Sequence, residues 1–297
     1  LLVVPETEIW PATLYAARRA GVPVFMANAR ISRRTLNLYK FLSPLTRLAF
    51  SGVKLIMAQS APDAARFTEL AGPGRVIDTG NLKHDLLPDP SSAGDKAAAF
   101  VKAAGWEGAP VFTAGSTHRR EEPVIIEAWK EARRRVPGLK LALVPRHPER
   151  ASETAAALEA AGVKFCRWSE GPVRSDCVLV DAMGLLLPFY AVSDICFVGG
   201  TLDDTGGHNL LEPALFGKPA LFGPNYSNAG QAADALIKGK GGFLAGTAPE
   251  LAEKISALLT VPGALPEAGA AASATLASLR GATARTMAAV ASQLPPR

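Results

Sequence analysis

The sequence predicts an α/β protein of two Rossmann-like domains with parallel sheets, and three observations lead there. Short runs of β-branched and aliphatic residues alternate with stretches of helical period, as in a parallel sheet covered by helices. The alternation is interrupted between Leu87 and Gly108, where Pro88, Asp89, Pro90, Ser91, Ser92 and Gly94 read as a linker followed by a short helix. Unusual polar residues collect just after the apolar runs, where the carboxyl ends of parallel strands gather ligand-binding loops.

In the first domain, residues 1–90, strands are expected at Leu1 to Val4, Val22 to Ala27, Leu55 to Gln59 and Val76 to Thr79. The opening run resembles the interior of a buried strand and does not begin with methionine, so this domain is expected to be incomplete. The second domain, 91–297, is expected to hold strands at Val111 to Ala114, Leu141 to Val144, Val163 to Arg167, Cys177 to Val180, Ile195 to Val198, Pro219 to Phe222 and Gly242 to Leu244. The alanine-rich tail from Glu267 to Gln293 has high helix propensity and is expected to close that second domain as a helix.

The 297 residues are 48% hydrophobic and 20% charged, enough for a core in each domain. The apolar runs are too short to span a bilayer, and no secretion signal is expected at the opening. Cys166, Cys177 and Cys196 sit in strand-like runs without metal-ligand spacing, which points to core packing and a reducing compartment. A net charge of +5 is too dispersed for nucleic acid and compatible with an anionic substrate or membrane surface.

The strand-end loops carry the chemistry. Glu6 closes the first strand, where a buried carboxylate needs a cationic partner or a function; Arg30 is the expected structural partner. Lys83 lies in Gly80-Asn81-Leu82-Lys83-His84-Asp85 and either serves an anion or is a solvated turn lysine. Arg146 follows a strand and offers a planar fork for phosphate or carboxylate, against the alternative of a surface salt bridge. In Gly206-Gly207-His208-Asn209-Leu210-Leu211-Glu212-Pro213, the glycines permit close approach of backbone amides to a ligand. The Asn209 to Glu212 spacing fits a capping box at a helix start on which a phosphate could rest. Glu212 then either caps that helix or accepts from the paired hydroxyls of a ribose. All four histidines fall in these loops, but their separation gives no metal cluster. No P-loop or serine nucleophile elbow is present.

Together these strings resemble the 3-deoxy-D-manno-octulosonic acid (Kdo) transferases of lipopolysaccharide synthesis. The resemblance rests on Glu-Thr-Glu-Ile-Trp-Pro (6 to 11), Ala-Asn-Ala-Arg-Ile-Ser (27 to 32), Gly-Asn-Leu-Lys-His-Asp (80 to 85), Gly-Ser-Thr-His (115 to 118), Val-Pro-Arg-His-Pro-Glu-Arg (144 to 150), Phe-Val-Gly-Gly-Thr-Leu (197 to 202) and Gly-Gly-His-Asn-Leu-Leu-Glu-Pro (206 to 213), in order. It implies a GT-B fold and inverting transfer of Kdo from CMP-Kdo to the lipid A precursor, with no metal or other cofactor. It also implies cytidine nucleotide binding at Pro145, Arg146, Met183, Gly184, Leu185, Asn209, Leu210, Leu211 and Glu212, and transition-state assistance by Glu6 and Lys83.

The implied location is the cytoplasmic face of the bacterial inner membrane. A second hint of membrane contact is the segment from Arg33 to Phe50, where Arg33, Arg34, Lys40 and Arg47 interleave with Leu36, Leu38, Phe41, Leu42, Leu45 and Leu48; the alternative is an ordinary core helix.

Three departures stand out. The family's Ser-x-Gly-Glu string, which carries the general base, is absent from these residues; Leu185 stands where the family usually has glutamate; and Arg119-Arg120 replaces the usual x-Gly. The rival readings are a nucleotide-sugar epimerase of the same fold and a non-catalytic nucleotide-binding fragment.

Overall fold

A computed structural model describes residues 1–8, 10–93 and 95–294; the side chains of Leu45 and Ser92 are outside that description. Two compact units divide the chain: Leu1–Leu87 with Leu279–Arg297, and Pro88–Ser278.

In the first unit the chain runs β1 (Leu2–Pro5), α1 (Pro11–Arg19), β2 (Val24–Ala29), α2 (Arg33–Phe41), α3 (Ser43–Phe50), β3 (Val53–Ala58), α4 (Ala61–Ala71) and β4 (Val76–Asp78). The strands form a parallel sheet in the order β1-β2-β3-β4. All six residues of β2 are buried while β1 and β4 are partly exposed, so the interior strand is covered on both faces and the edge strands are not. One face packs Val24, Met26 and Ile56 against Leu14, Phe50 and Phe67 of the helices.

The segment from Arg33 to Phe50 is two helices, with Ser32 capping the first through its Oγ at 3.0 Å from the Thr35 amide. Leu36 is buried, but Leu38, Phe41, Leu42 and Leu48 remain exposed. A single core helix therefore does not describe it. With Pro11 and Tyr15 of α1, this region encloses an apolar cavity of about 510 Å³.

The second unit contains α5 (Lys96–Ala103), β5 (Val111–Thr117), α6 (Glu122–Arg135), β6 (Lys140–Pro145), α7 (Ala151–Ala160), β7 (Cys166–Arg167), β8 (Cys177–Leu179), α8 (Leu186–Val192), β9 (Ile195–Val198), β10 (Ala220–Phe222), α9 (Gly230–Gly239), β11 (Gly242–Leu244), α10 (Ala248–Thr260) and α11 (Ala264–Leu279). Its strands pair in parallel in the order β11-β10-β9-β5-β6-β8-β7. From β5 the chain winds outward through β6, then returns to the other side at β9. The neighbours β5 and β9 therefore flank the point where strand order reverses, the place at the carboxyl ends of the strands where open sheets of this kind bind ligands. The three cysteines are buried in this unit with no disulfide. No single described helix is long and apolar enough to cross a membrane.

Each strand expected from sequence is present, although the one expected at Val163 to Arg167 shortens to Cys166–Arg167. The tail differs from the expected single helix. It breaks at Arg280-Gly281, where Gly281 takes φ 88°, and continues as α12 (Ala282–Ala291).

Sequence alone attaches that helix to the second domain, but its contacts attach it to the first unit. Val290 and Ala289 pack on Phe25, Ala27, Leu55 and Met57, the second face of the first sheet. Asp85 accepts from the amides of Gly281 at 2.7 Å and Thr283 at 2.6 Å, and Arg285 Nε donates to the Thr79 carbonyl at 2.9 Å. The physical reason is an uncovered apolar sheet face, which alanine-rich propensity cannot reveal. Asp85→Ala removes the cap of α12 and is expected to destabilise the protein by about 1 kcal/mol. Hydrogen exchange should show the loss concentrated in residues 282–291, and uniform protection across the first unit would contradict this anchoring.

Candidate functional site

At the carboxyl edge of the first sheet, Glu6 follows β1 with φ 53°, its amide donating to the Ala27 carbonyl at 2.8 Å. The turn aims its carboxylate at Lys83, whose Nζ lies 2.9 Å from Oε1. Lys83 is set by a short 3-10 turn, Leu82–His84. Asn81 Oδ1 accepts from the Lys83 amide at 3.0 Å, and Asn28 Oδ1 accepts from the Leu82 amide at 3.0 Å.

The loops after β1, β2 and β4 thus converge, and the two residues expected to act together meet. The ion-pair partner of Glu6 is Lys83 rather than Arg30, because the 3-10 turn delivers the ammonium directly. The Lys83 hydrogen bond and charge hold the Glu6 carboxyl below its usual range, and Arg30 adds a smaller contribution. Both side chains stay about half exposed or more, so the pair is accessible to a substrate and contributes little to stability. Thr7 bridges to Arg30, donating its hydroxyl to the Arg30 carbonyl. Ile9 of the same string lies outside the described residues.

In the second unit the loops after β5 and β9 are joined by a residue that sequence reasoning missed, Glu121. Its fully buried carboxylate accepts from four backbone amides: His118 at 2.9 Å, Gly200 at 2.8 Å, Thr201 at 2.9 Å and Leu202 at 2.9 Å. The loops approach so closely that a Cβ on Gly199 would lie 2.2 Å from the Ser116 carbonyl oxygen. The available signal was its spacing three residues after His118, the reach of a side chain that caps an upstream amide.

Fixed by this clasp, His118 and His208 stack with ring centroids 5.1 Å apart and their Nε2 atoms 2.8 Å apart. Burial pushes His208 down to about 4, with His118 and Arg146 adding to the effect. It is neutral near pH 7. His147 meets His118 edge-on at 6.3 Å.

The expected nucleotide-binding residues separate into groups. Pro145 is buried as the last residue of β6, and Arg146 projects from the surface with its amide donating to the Thr117 carbonyl at 3.0 Å. Met183 and Gly184 are exposed, whereas Leu185 is buried against Phe100 and Phe189 in the core. The structure therefore leaves only the backbone of Leu185 for a ligand. Leu210 and Leu211 are fully buried core residues.

The capping box expected at Asn209 to Glu212 does not form. Asn209 Oδ1 accepts from Leu211, and a turn leads into a 3-10 segment, Pro213–Phe216, that stops at Gly217 in the left-handed region. Four residues make no helix on which a phosphate could rest. Pro213 and the left-handed Gly217 bound the turn too closely. Gly206 and Gly207 also do less than expected for a ligand: the Gly207 amide already donates to the Gly200 carbonyl at 2.6 Å.

Glu212 is left without a capping role. Burial raises its carboxyl to about 7, and the nearby positive charge of Arg146 only partly opposes this. Between the ordinary 4.5 and about 7 the folded protein holds a proton that the unfolded chain has released. The stabilising contribution of this group therefore falls as pH rises through that window. A half-buried carboxyl costly to ionise is suited to a partner that brings donors, such as vicinal hydroxyls.

With this geometry in place, comparison with known proteins is decisive. The chain is 32% identical over 292 residues to the 3-deoxy-D-manno-octulosonic acid transferase of Haemophilus influenzae, covering 97% of this chain and 68% of that protein. The chain belongs to the Kdo transferase family. The family described as 3-deoxy-D-manno-octulosonic-acid transferase (kdotransferase) matches residues 1–86.

The C-terminal CMP-Kdo binding domain of WaaA from Acinetobacter baumannii is 33% identical, with TM-score 0.58, and the match covers 62% of this chain and 98% of that domain. A glycosyltransferase from Rickettsia africae ESF-5, 14% identical, aligns over 98% of this chain and 76% of its own with TM-score 0.59, which speaks to the fold alone. The Kdo transferase chain is thus a glycosyltransferase of GT-B type with two Rossmann-like units. It spans about two thirds of its Haemophilus relative.

The Glu121 clasp yields a stability prediction. Glu121→Ala strands four amides and is expected to destabilise the second unit by roughly 3 kcal/mol or more. Glu121→Gln should recover only part of this, since an amide nitrogen repels N–H donors. Denaturant unfolding of both variants checks the assignment, and wild-type stability in Glu121→Ala would refute it.

Proposed function

We propose that the chain binds CMP-Kdo and takes part in its inverting transfer to the lipid A precursor, at the cytoplasmic face of the bacterial inner membrane, without a metal or other cofactor. The observation that carries the donor reading is the switch point of the second unit, with Arg146 after β6 and the costly-to-ionise Glu212 after β9. Likeness to the CMP-Kdo binding domain of Acinetobacter baumannii supports it. In this reading Glu212 accepts from the ribose hydroxyls and Arg146 supplies positive charge to the phosphate. The Leu185 backbone serves where its side chain cannot. Glu6 and Lys83 act on the transition state, an ion pair that can separate as charge develops on the reacting groups.

The membrane assignment draws on the first unit. Trp10, Tyr15, Leu38, Phe41, Leu42 and Leu48 are exposed apolar side chains, and Arg33, Arg34, Lys40 and Arg47 lie among them in sequence. Apolar surface with interleaved cations suits the interface of an anionic bilayer and an acylated, phosphorylated acceptor.

Calorimetry with cytidine monophosphate tests the donor site. Arg146→Ala and Glu212→Ala are each expected to weaken binding about 10- to 100-fold. Wild-type affinity should rise with pH as Glu212 ionises, and Glu212→Gln should flatten that dependence. Unchanged affinity in folded variants would remove these assignments.

The transfer reaction provides a separate test. The family's Ser-x-Gly-Glu string is not among the 297 residues, so these residues alone are expected to bind nucleotide but form no Kdo-lipid product. A chain that also carries the string should form it. In that longer chain, replacing Glu6 or Lys83 should lower kcat and kcat/KM together. A defect confined to KM would refute a transition-state role, and product from the 297 residues alone would place the base elsewhere.

A further inference from the structure

Next to the histidine pair of the second unit lies an open cavity of about 570 Å³ whose lining includes His118, Arg120, His147, Arg150, Asp203 and Asp204. Its charges are unequally committed. Arg119, also in the wall, faces Glu153 at 3.8 Å. Arg150 lies 3.3 Å from Glu153 and 3.8 Å from Glu122, and His147 Nδ1 lies 3.1 Å from Glu149 Oε1. Arg120 is exposed and forms no ion pair among the described residues, its charge reaching Asp203 only from a longer distance. Its guanidinium fork is therefore available to a ligand.

The acidic side of the cavity is also structured. Asp203 Oδ1 accepts from the Thr205 amide at 3.0 Å, and Oδ2 lies 3.9 Å from His118 Nδ1. Burial opposes its charge, but the Thr205 hydrogen bonds outweigh this and His118 and Arg120 add to them, so Asp203 stays ionised below the usual range.

These features select among ligand chemistries. A phosphate dianion would gain from Arg120 but would be repelled by Asp203 and Asp204. A neutral sugar would make no use of the positive charge of Arg120, which water already solvates. A polyhydroxylated sugar with a single carboxylate satisfies both sides: the fork takes the carboxylate and the aspartates accept from hydroxyls. The cavity adjoins the switch point to which the nucleotide has been assigned, since both are bounded by the loops after β5, β6 and β9.

We propose that this cavity is the subsite for the acidic sugar of the donor, with Arg120 pairing its carboxylate and Asp203 accepting from its hydroxyls. The proposal rests on the donor-site reading and extends it from the nucleotide to the sugar. It assigns a binding role to one of the two arginines by which this chain departs from the usual family string.

The test compares two probes, cytidine monophosphate and CMP-Kdo, titrated into the 297-residue chain and its Arg120→Gln and Asp203→Asn variants. Arg120→Gln is expected to weaken CMP-Kdo about tenfold while leaving cytidine monophosphate within about twofold. Asp203→Asn should show the same selectivity with a smaller loss. Equal weakening of both probes by Arg120→Gln would place this residue on the phosphate or in loop folding, and no effect on either would remove it from the site; each result overturns the proposal. Failure of the wild-type chain to bind cytidine monophosphate would remove the underlying donor reading, and the sugar subsite with it.

Discussion

The second unit depends on one buried carboxylate. A parallel sheet whose order reverses leaves two loops diverging from adjacent strands, with backbone amides turned into the gap. Glu121 fills that gap and takes four of those amides. An isolated carboxylate in a dry interior is costly, and amide donors are among the groups that offset the cost. The consequence extends beyond stability. The His118 amide is one of the four, so the same contact sets the start of the loop that holds His118 against His208 and borders both the switch point and the adjoining cavity. A mobile gap becomes a fixed edge.

The first unit solves a similar problem by different means. Its strand-end loops are joined by Asn28 accepting from Leu82, by Thr7 bridging to Arg30, and by the Lys83 to Glu6 ion pair at the surface. The interior of this junction is neutral and its rim is charged. A charged pair held at the rim is available to respond to a substrate, whereas the Glu121 carboxylate is sealed and can serve only as structure.

Much of the fold was legible because parallel strands buried on both faces must be written as uninterrupted apolar runs. Leu141 to Val144 and Ile195 to Val198 are such runs. Glu6 and Lys83 were legible as strand-end oddities, and their meeting follows from the turns that carry them. What stayed illegible depended on contacts distant in sequence. Glu121 looks like an acidic residue at a helix start until the β9 loop is placed on it. The Asn209 to Glu212 spacing suggested a capping box, but Pro213 and Gly217 leave room only for a 3-10 turn. Leu185 and Leu211 occupy the expected ligand-binding stretches, yet their side chains belong to the core. Local pattern carries no record of which apolar face a distant alanine-rich helix will cover.

That last helix has a consequence for how the protein is made. Because α12 supplies Val290 and Ala289 to the sheet face formed by Phe25, Leu55 and Met57, the first unit is discontinuous in the chain and the second is, in effect, an insertion within it. On the ribosome the first sheet emerges early but lacks its cover until the entire second unit has been synthesised. The contacts that α12 makes with that face can therefore form only after the second unit has been made, which gives this part of the core a high sequence separation.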